Sequence, residues 1–79
     1  MDIELARAMA RTAFDANRSL QAILPQLKAG LSEADYRACA HDVAVAIDQV
    51  NTALLARAVA VHPVLETEIE TAIREHGRY

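Results

Sequence analysis

Tryptophan is absent from the 79 residues, phenylalanine occurs once and tyrosine twice. Without bulky rings the core has to be built largely from alanine and mid-sized aliphatic side chains, which favours closely spaced helix-on-helix packing. A single cysteine, Cys39, excludes an internal disulfide and makes a cytoplasmic location the expectation. Positive charge is not in excess: 8 Lys plus Arg stand against 11 Asp plus Glu, a net of -3, which disfavours a strongly basic nucleic-acid binder. Asp, Glu, Arg, Gln or Asn interrupts every apolar stretch well before the roughly 18 residues of a membrane span. Asp2 and Glu4 follow Met1 where a secretory signal would carry cations, so no such signal is expected.

What is present is apolar and helical. Hydrophobic residues make up 53% of the chain, too many for a disordered segment of modest charge. The length allows a single domain, residues 1–79, of small size. Two glycines and two prolines supply nearly all the punctuation. The spacing predicts helix 1 over about 2–28 with a kink or break at Pro25, helix 2 over about 33–61, and helix 3 over about 63–76. Asp2 and Ser32 are placed to cap the first two helices, Leu31 and Tyr36 to staple the second, and Gly30 and Gly77 to close helices in left-handed geometry.

Helix 1 shows one broad stripe: Leu5, Ala6, Met9, Ala13, Ala16, Leu20, Ile23, Leu24 and Leu27. Helix 2 shows two. Tyr36, Ala40, Val43, Ile47, Val50 and Leu54 alternate steps of four and three, as a packing seam requires, and should face helix 1 with Val61 rejoining them. Ala34, Ala38, His41, Val45, Thr52, Ala56 and Val59, with Leu55 beside them, form a second row on the opposite side. A helix apolar on two sides wants two neighbours, and a chain this small covers both poorly.

The expected architecture is therefore all-α: an antiparallel helical hairpin plus a short third helix, dimerising into a four-helix-bundle-like core. Ala38, His41, Val45, Thr52, Leu55 and Val59 are the expected interface, with Phe14 as a further contact patch beside the Arg7, Arg11 and Arg18 row. Glu4 and Asp15 share that side, Arg11 and Asp15 are spaced as an i, i+4 pair, and a solvated charged face is the expected reading of the row. The competing architecture folds helix 3 back over the second row to give a monomeric three-helix bundle.

Chemistry is sparse. Cys39, His41 and Asp42 are the one cluster with metal-binding side chains, but on a helix His41 points about 160° away from Cys39, so the three cannot converge on one ion. Asp35, Cys39 and Asp42 share a side, yet without a histidine they make a poor zinc site. Arg37 and His41 project away from Cys39, which leaves its thiol without a base to activate it. No phosphate-binding glycine loop, nucleophile elbow or catalytic carboxylate pair occurs, and neither a catalytic residue nor a cofactor is expected. The expected role is a small non-enzymatic protein-interaction or scaffold module acting as a homodimer, with an unidentified protein partner. The alternative is a metal- or ligand-binding bundle in which His41 residues meet across the dimer axis.

Overall fold

The computed structural model describes all 79 residues, Met1–Tyr79, and is entirely helical apart from turns and termini. Helix α1 spans Ile3–Ala22, and the Asp2 carboxylate accepts the Leu5 N–H at 2.8 Å to cap it. One turn residue, Ile23, separates α1 from α2, Leu24–Gly30. Pro25 sits in the first turn of α2, where its missing N–H costs no hydrogen bond, so the proline restarts the helix and bends the path. Gly30 remains inside α2, which closes on the extended residue Leu31; the only glycine with positive φ is Gly77, at 77°. The left-handed closure expected of Gly30 therefore belongs to Gly77 alone, which ends α5, Val64–His76.

The long middle helix, Glu33–Val61, is not uniform. It runs as α3, Glu33–Val50, then as a π-helical segment, Asn51–Ala56, then as α4, Arg57–Val61. Ser32 Oγ accepts the Asp35 N–H at 3.2 Å and starts it. Pro63 precedes α5, with Val64 its first residue.

The α1 and α3 helices form the expected antiparallel hairpin, and α5 folds against one end of it. That end holds the core cluster, Ala6 and Ala10 of α1, Ala58 of α4, and Leu65 and Ile69 of α5, and Ala13 of α1 is buried outside that cluster. Four of these six are alanines, so the helices approach closely and little large side-chain volume is enclosed. No residue of α2, α3 or the π-helical segment is fully buried. The Cα atoms fill a flattened body of 45 × 25 × 14 Å. Their radius of gyration is 14.9 Å, against about 11.6 Å for a compact domain of this length.

Two expected faces are rotated. The buried line of α1 runs through Ala6, Ala10 and Ala13, not through the centre of the expected stripe, and leaves Leu5 53% and Ile23 39% exposed. Small residues win the tightest position because the backbones approach closest there, and the larger aliphatics are displaced to the flank. In the middle helix, the i→i+5 pattern of the π-helical segment fits an extra residue into the turn, which rotates the remainder of the helix by roughly one residue step, about 100°. Leu55 and Val59 consequently leave the outer row and pack against the core near α5, while Val61, expected in the seam, is 48% exposed.

Candidate functional site

The charged side of α1 is engaged by the C-terminal part of the same chain. Arg7 Nη2 lies 2.8 Å from Glu68 of α5, its Nε donates to the same carboxylate at 3.0 Å, and a further guanidinium nitrogen pairs with Glu4. The Tyr79 hydroxyl donates to Glu68 at 2.8 Å. Its ring stands 5.8 Å from that of Phe14, centroid to centroid, and the Arg11 guanidinium lies 5.4 Å above it. The donors from Arg7 and then Tyr79 hold the Glu68 carboxyl below the usual glutamate range. The Tyr79 phenol is raised by burial and by its bond to Glu68, and Arg7 is raised by its bonds to Glu68 and Glu4.

These contacts correct the sequence reading of this side. Phe14 is a half-buried ring packed on Tyr79 and the core, not a free contact patch. Asp15 pairs with Arg18, three residues on, and Arg11 turns to the Tyr79 ring instead of to Asp15. Tyr79 is the residue that sequence reasoning missed. A tyrosine at the last position carries no periodic signal, and only the fold brings it back to α1.

The residues with metal-binding chemistry stay apart. Cys39 is half-buried and His41 exposed on different sides of α3, Asp42 is exposed, and nowhere do three His, Cys, Asp or Glu side chains come within reach of one ion. The His62 ring lies 2.9 Å from the Met1 carbonyl oxygen, which ties the N-terminus to the bend before α5. At the entry to the π-helical segment, Asn17 Nδ2 donates to Asn51 Oδ1 at 2.7 Å across the hairpin, while the buried Asn17 Oδ1 has no partner.

The expected outer interface is divided in two. Ala38, His41, Val45 and Thr52 are exposed, Val45 to 43%. Thr52 also lines, with Leu55 and Val59, an open groove against Glu66, Ile69 and Glu70 of α5, and there Leu55 and Val59 are partly covered by their own chain. What is left of the row has one large apolar side chain, Val45, among alanines and polar groups.

A second apolar stripe runs along the opposite flank of α1. Taking about 100° per residue, the five charges of α1, Glu4, Arg7, Arg11, Asp15 and Arg18, fall within an arc of about 80° on the side that meets α5 and Tyr79. The flank beyond the buried alanines carries Leu5, Met9, Thr12, Ala16 and Leu20, with Ile23 in the turn that follows, and no charge; Met9 packs against the core cluster. On α3 the matching flank, away from Asn51 and the α5 groove, carries the half-buried Cys39, Ala46 and Val50 together with the exposed acids Asp35 and Asp42. Within Glu33–Val61 one 18-residue window reaches a mean hydropathy of 1.3, enough by length and composition for a membrane-spanning helix, although Asp48, Gln49 and Asn51 near the middle of the helix would be costly in hydrocarbon.

Searches of family models, curated proteins and solved structures give no match to this chain.

Proposed function

We propose that this protein is a small non-enzymatic helical module that acts as a homodimer, its paired hairpins offering a stable surface to another protein. The observation that carries the reading is an excess of surface. The chain exposes 5407 Å², whereas a compact monomer of 8.6 kDa exposes about 4,700 Å². The surplus of about 700 Å² per chain, about 1,400 Å² for two, falls within the range of specific protein interfaces. The shape agrees, since no residue of α2 or α3 is buried and domains ordinarily close a core between packed layers.

The same reading accounts for the scarcity of chemical groups. The most strongly perturbed carboxylate, Glu68, is occupied by Arg7 and Tyr79 in an arrangement that pins α5 to α1. No three His, Cys, Asp or Glu side chains gather within the single chain, so the metal-binding alternative through His41 would need ligands from a second copy.

Sedimentation velocity across micromolar to hundred-micromolar concentration tests the proposal. The expected result is a species of twice 8.6 kDa at the upper end. A single 8.6 kDa species throughout would overturn it.

A further inference from the structure

Resting on the reading of the chain as a protein-interaction module, we infer that the groove between the π-helical segment and α5 receives an amphipathic helix of another protein. That helix carries two apolar side chains one turn apart with Lys or Arg beside them. Leu55 and Val59 line the groove on one side and Glu66, Ile69 and Glu70 on the other, with Asn51 also in its lining. Three observations lead to this occupant.

The first is the apolar floor. Leu55 and Val59 pack on the core cluster yet stay half-buried, and Ile69 belongs to that cluster, so these side chains are held in place and still meet solvent along the groove. Between Asn51 and Val59 the helix rises about 10 Å, room for two side chains at i and i+4 of a docked helix. The groove is open, whereas a site for a small molecule encloses most of its ligand. An amphipathic helix laying its apolar side into a groove is the recognition mode that suits such a shape.

The second is unbalanced charge. Glu66 and Glu70 stand one turn apart on α5, both exposed, and no cation of the chain pairs with either. Arg74, one turn beyond Glu70, donates instead to the Thr71 hydroxyl. Like charges at i, i+4 repel, so a cation placed over this pair gains from both carboxylates, and an anionic helix is turned away. The same pair argues against a second copy as the occupant, because a twofold contact here would set Glu66 and Glu70 against their own copies.

The third is the π-helical segment itself. Such segments are rare and recur at functional sites. Here the segment supplies Asn51, Thr52, Leu55 and Ala56 to the groove and turns Leu55 and Val59 toward α5.

The probe is an acetylated, amidated peptide of about 14 residues, long enough for helix formation, built on Ala and Gln with two Leu four positions apart and Lys flanking them. Two twins carry Glu for Lys or Ala for Leu. Fluorescence anisotropy at low ionic strength should show the Leu/Lys peptide binding the full chain and either twin binding about tenfold more weakly or worse, with NMR methyl shifts at Leu55, Val59 and Ile69. Glu66→Gln/Glu70→Gln changes exposed positions, so helical circular dichroism should be retained while binding weakens about tenfold. Asp35→Asn/Asp42→Asn removes the same charge from exposed sites on α3 and should leave binding within about twofold. Glu66→Lys/Glu70→Lys should transfer the preference to the Glu twin. Equal losses in the two neutralised variants would reduce the effect to attraction by the net charge of -3 and overturn the groove. Methyl shifts confined to other residues would overturn it too. So would a change in sedimentation of Glu66→Gln/Glu70→Gln without peptide, since a second copy would then be the occupant. A dimer that binds no peptide overturns the groove and leaves the homodimer intact; a monomer that binds with the expected pattern overturns the homodimer and keeps the groove.

Discussion

The two ends of the hairpin are built from similar residues and finished differently. Where α5 crosses, Ala6, Ala10, Ala58, Leu65 and Ile69 exclude solvent, and Glu68 draws Arg7 and Tyr79 together over them. At the α2 end, Leu20, Leu24 and Leu27 meet Tyr36, Ala40 and Val43 with every one of these side chains only half-buried. Both ends carry aliphatic residues at helical spacing, so the difference is not one of composition. It is the presence of a third helix: two helices in contact cover one stripe of each other, and a third closes the space above the stripe. Under the proposed homodimer, the open end is apolar surface left for a partner to complete.

That contrast can be broken by paired truncations. Leu65→Ala, which leaves a void among fully buried neighbours, should cost about 3 kcal/mol in urea denaturation, whereas Leu27→Ala at the open end should cost about 1 kcal/mol or less in dilute solution. Equal costs would mean that the open end is closed in solution by something other than self-association. A smaller effect is expected at the C-terminus. Tyr79→Ala removes an aromatic pair and a hydrogen bond to Glu68 and should lower stability by about 1–2 kcal/mol, read in the same denaturation experiment.

The smallest effect is a pH dependence confined to the closed end. Arg7 and Tyr79 hold Glu68 below its ordinary value of 4.5, so its contribution is fully present above about that pH and is lost as pH falls through its lower folded value. Tyr79 is shifted the opposite way, so its contribution is present below 10.0 and is lost as pH rises through its higher folded value. Stability measured from pH 6 down to pH 3 should fall less steeply in Glu68→Gln than in the unsubstituted protein. Superimposable profiles would remove Glu68 from the account.

Much of the fold was legible because its determinants are local. Ser32 and Asp2 cap helices where their side chains can reach the first-turn amides, Pro25 and Pro63 interrupt the helical path, and α3 packs along α1 with Tyr36, Val43, Ile47 and Val50 half-buried. What was not legible depends on departures from ideal period or on distant contacts. The π-helical segment Asn51–Ala56 has no proline or glycine to announce it, yet it turns Leu55 and Val59 from the outer row toward α5. The exact line of closest approach on α1 depends on which neighbour packs there, and alanines took it from the larger residues that a hydrophobic stripe would favour. Phe14, read from its own helix as a free patch, is claimed by a tyrosine 65 positions away along the chain. The candidate surface was legible as a need for cover; its position was not, because the π-helical turn and α5 redistribute which apolar residues are left outside.

Hydrogen exchange of the backbone amides at two protein concentrations tests the central claim most directly, because it reads both ends of the same molecule at once. At low concentration, α2 and the first half of α3 should exchange faster than the amides around Ala58 and Leu65. Raising the concentration through the association range should slow exchange at Leu20–Ala40 by at least tenfold, through mass action on the associated form. Exchange at the α2 end that is slow in dilute solution and indifferent to concentration would contradict the account.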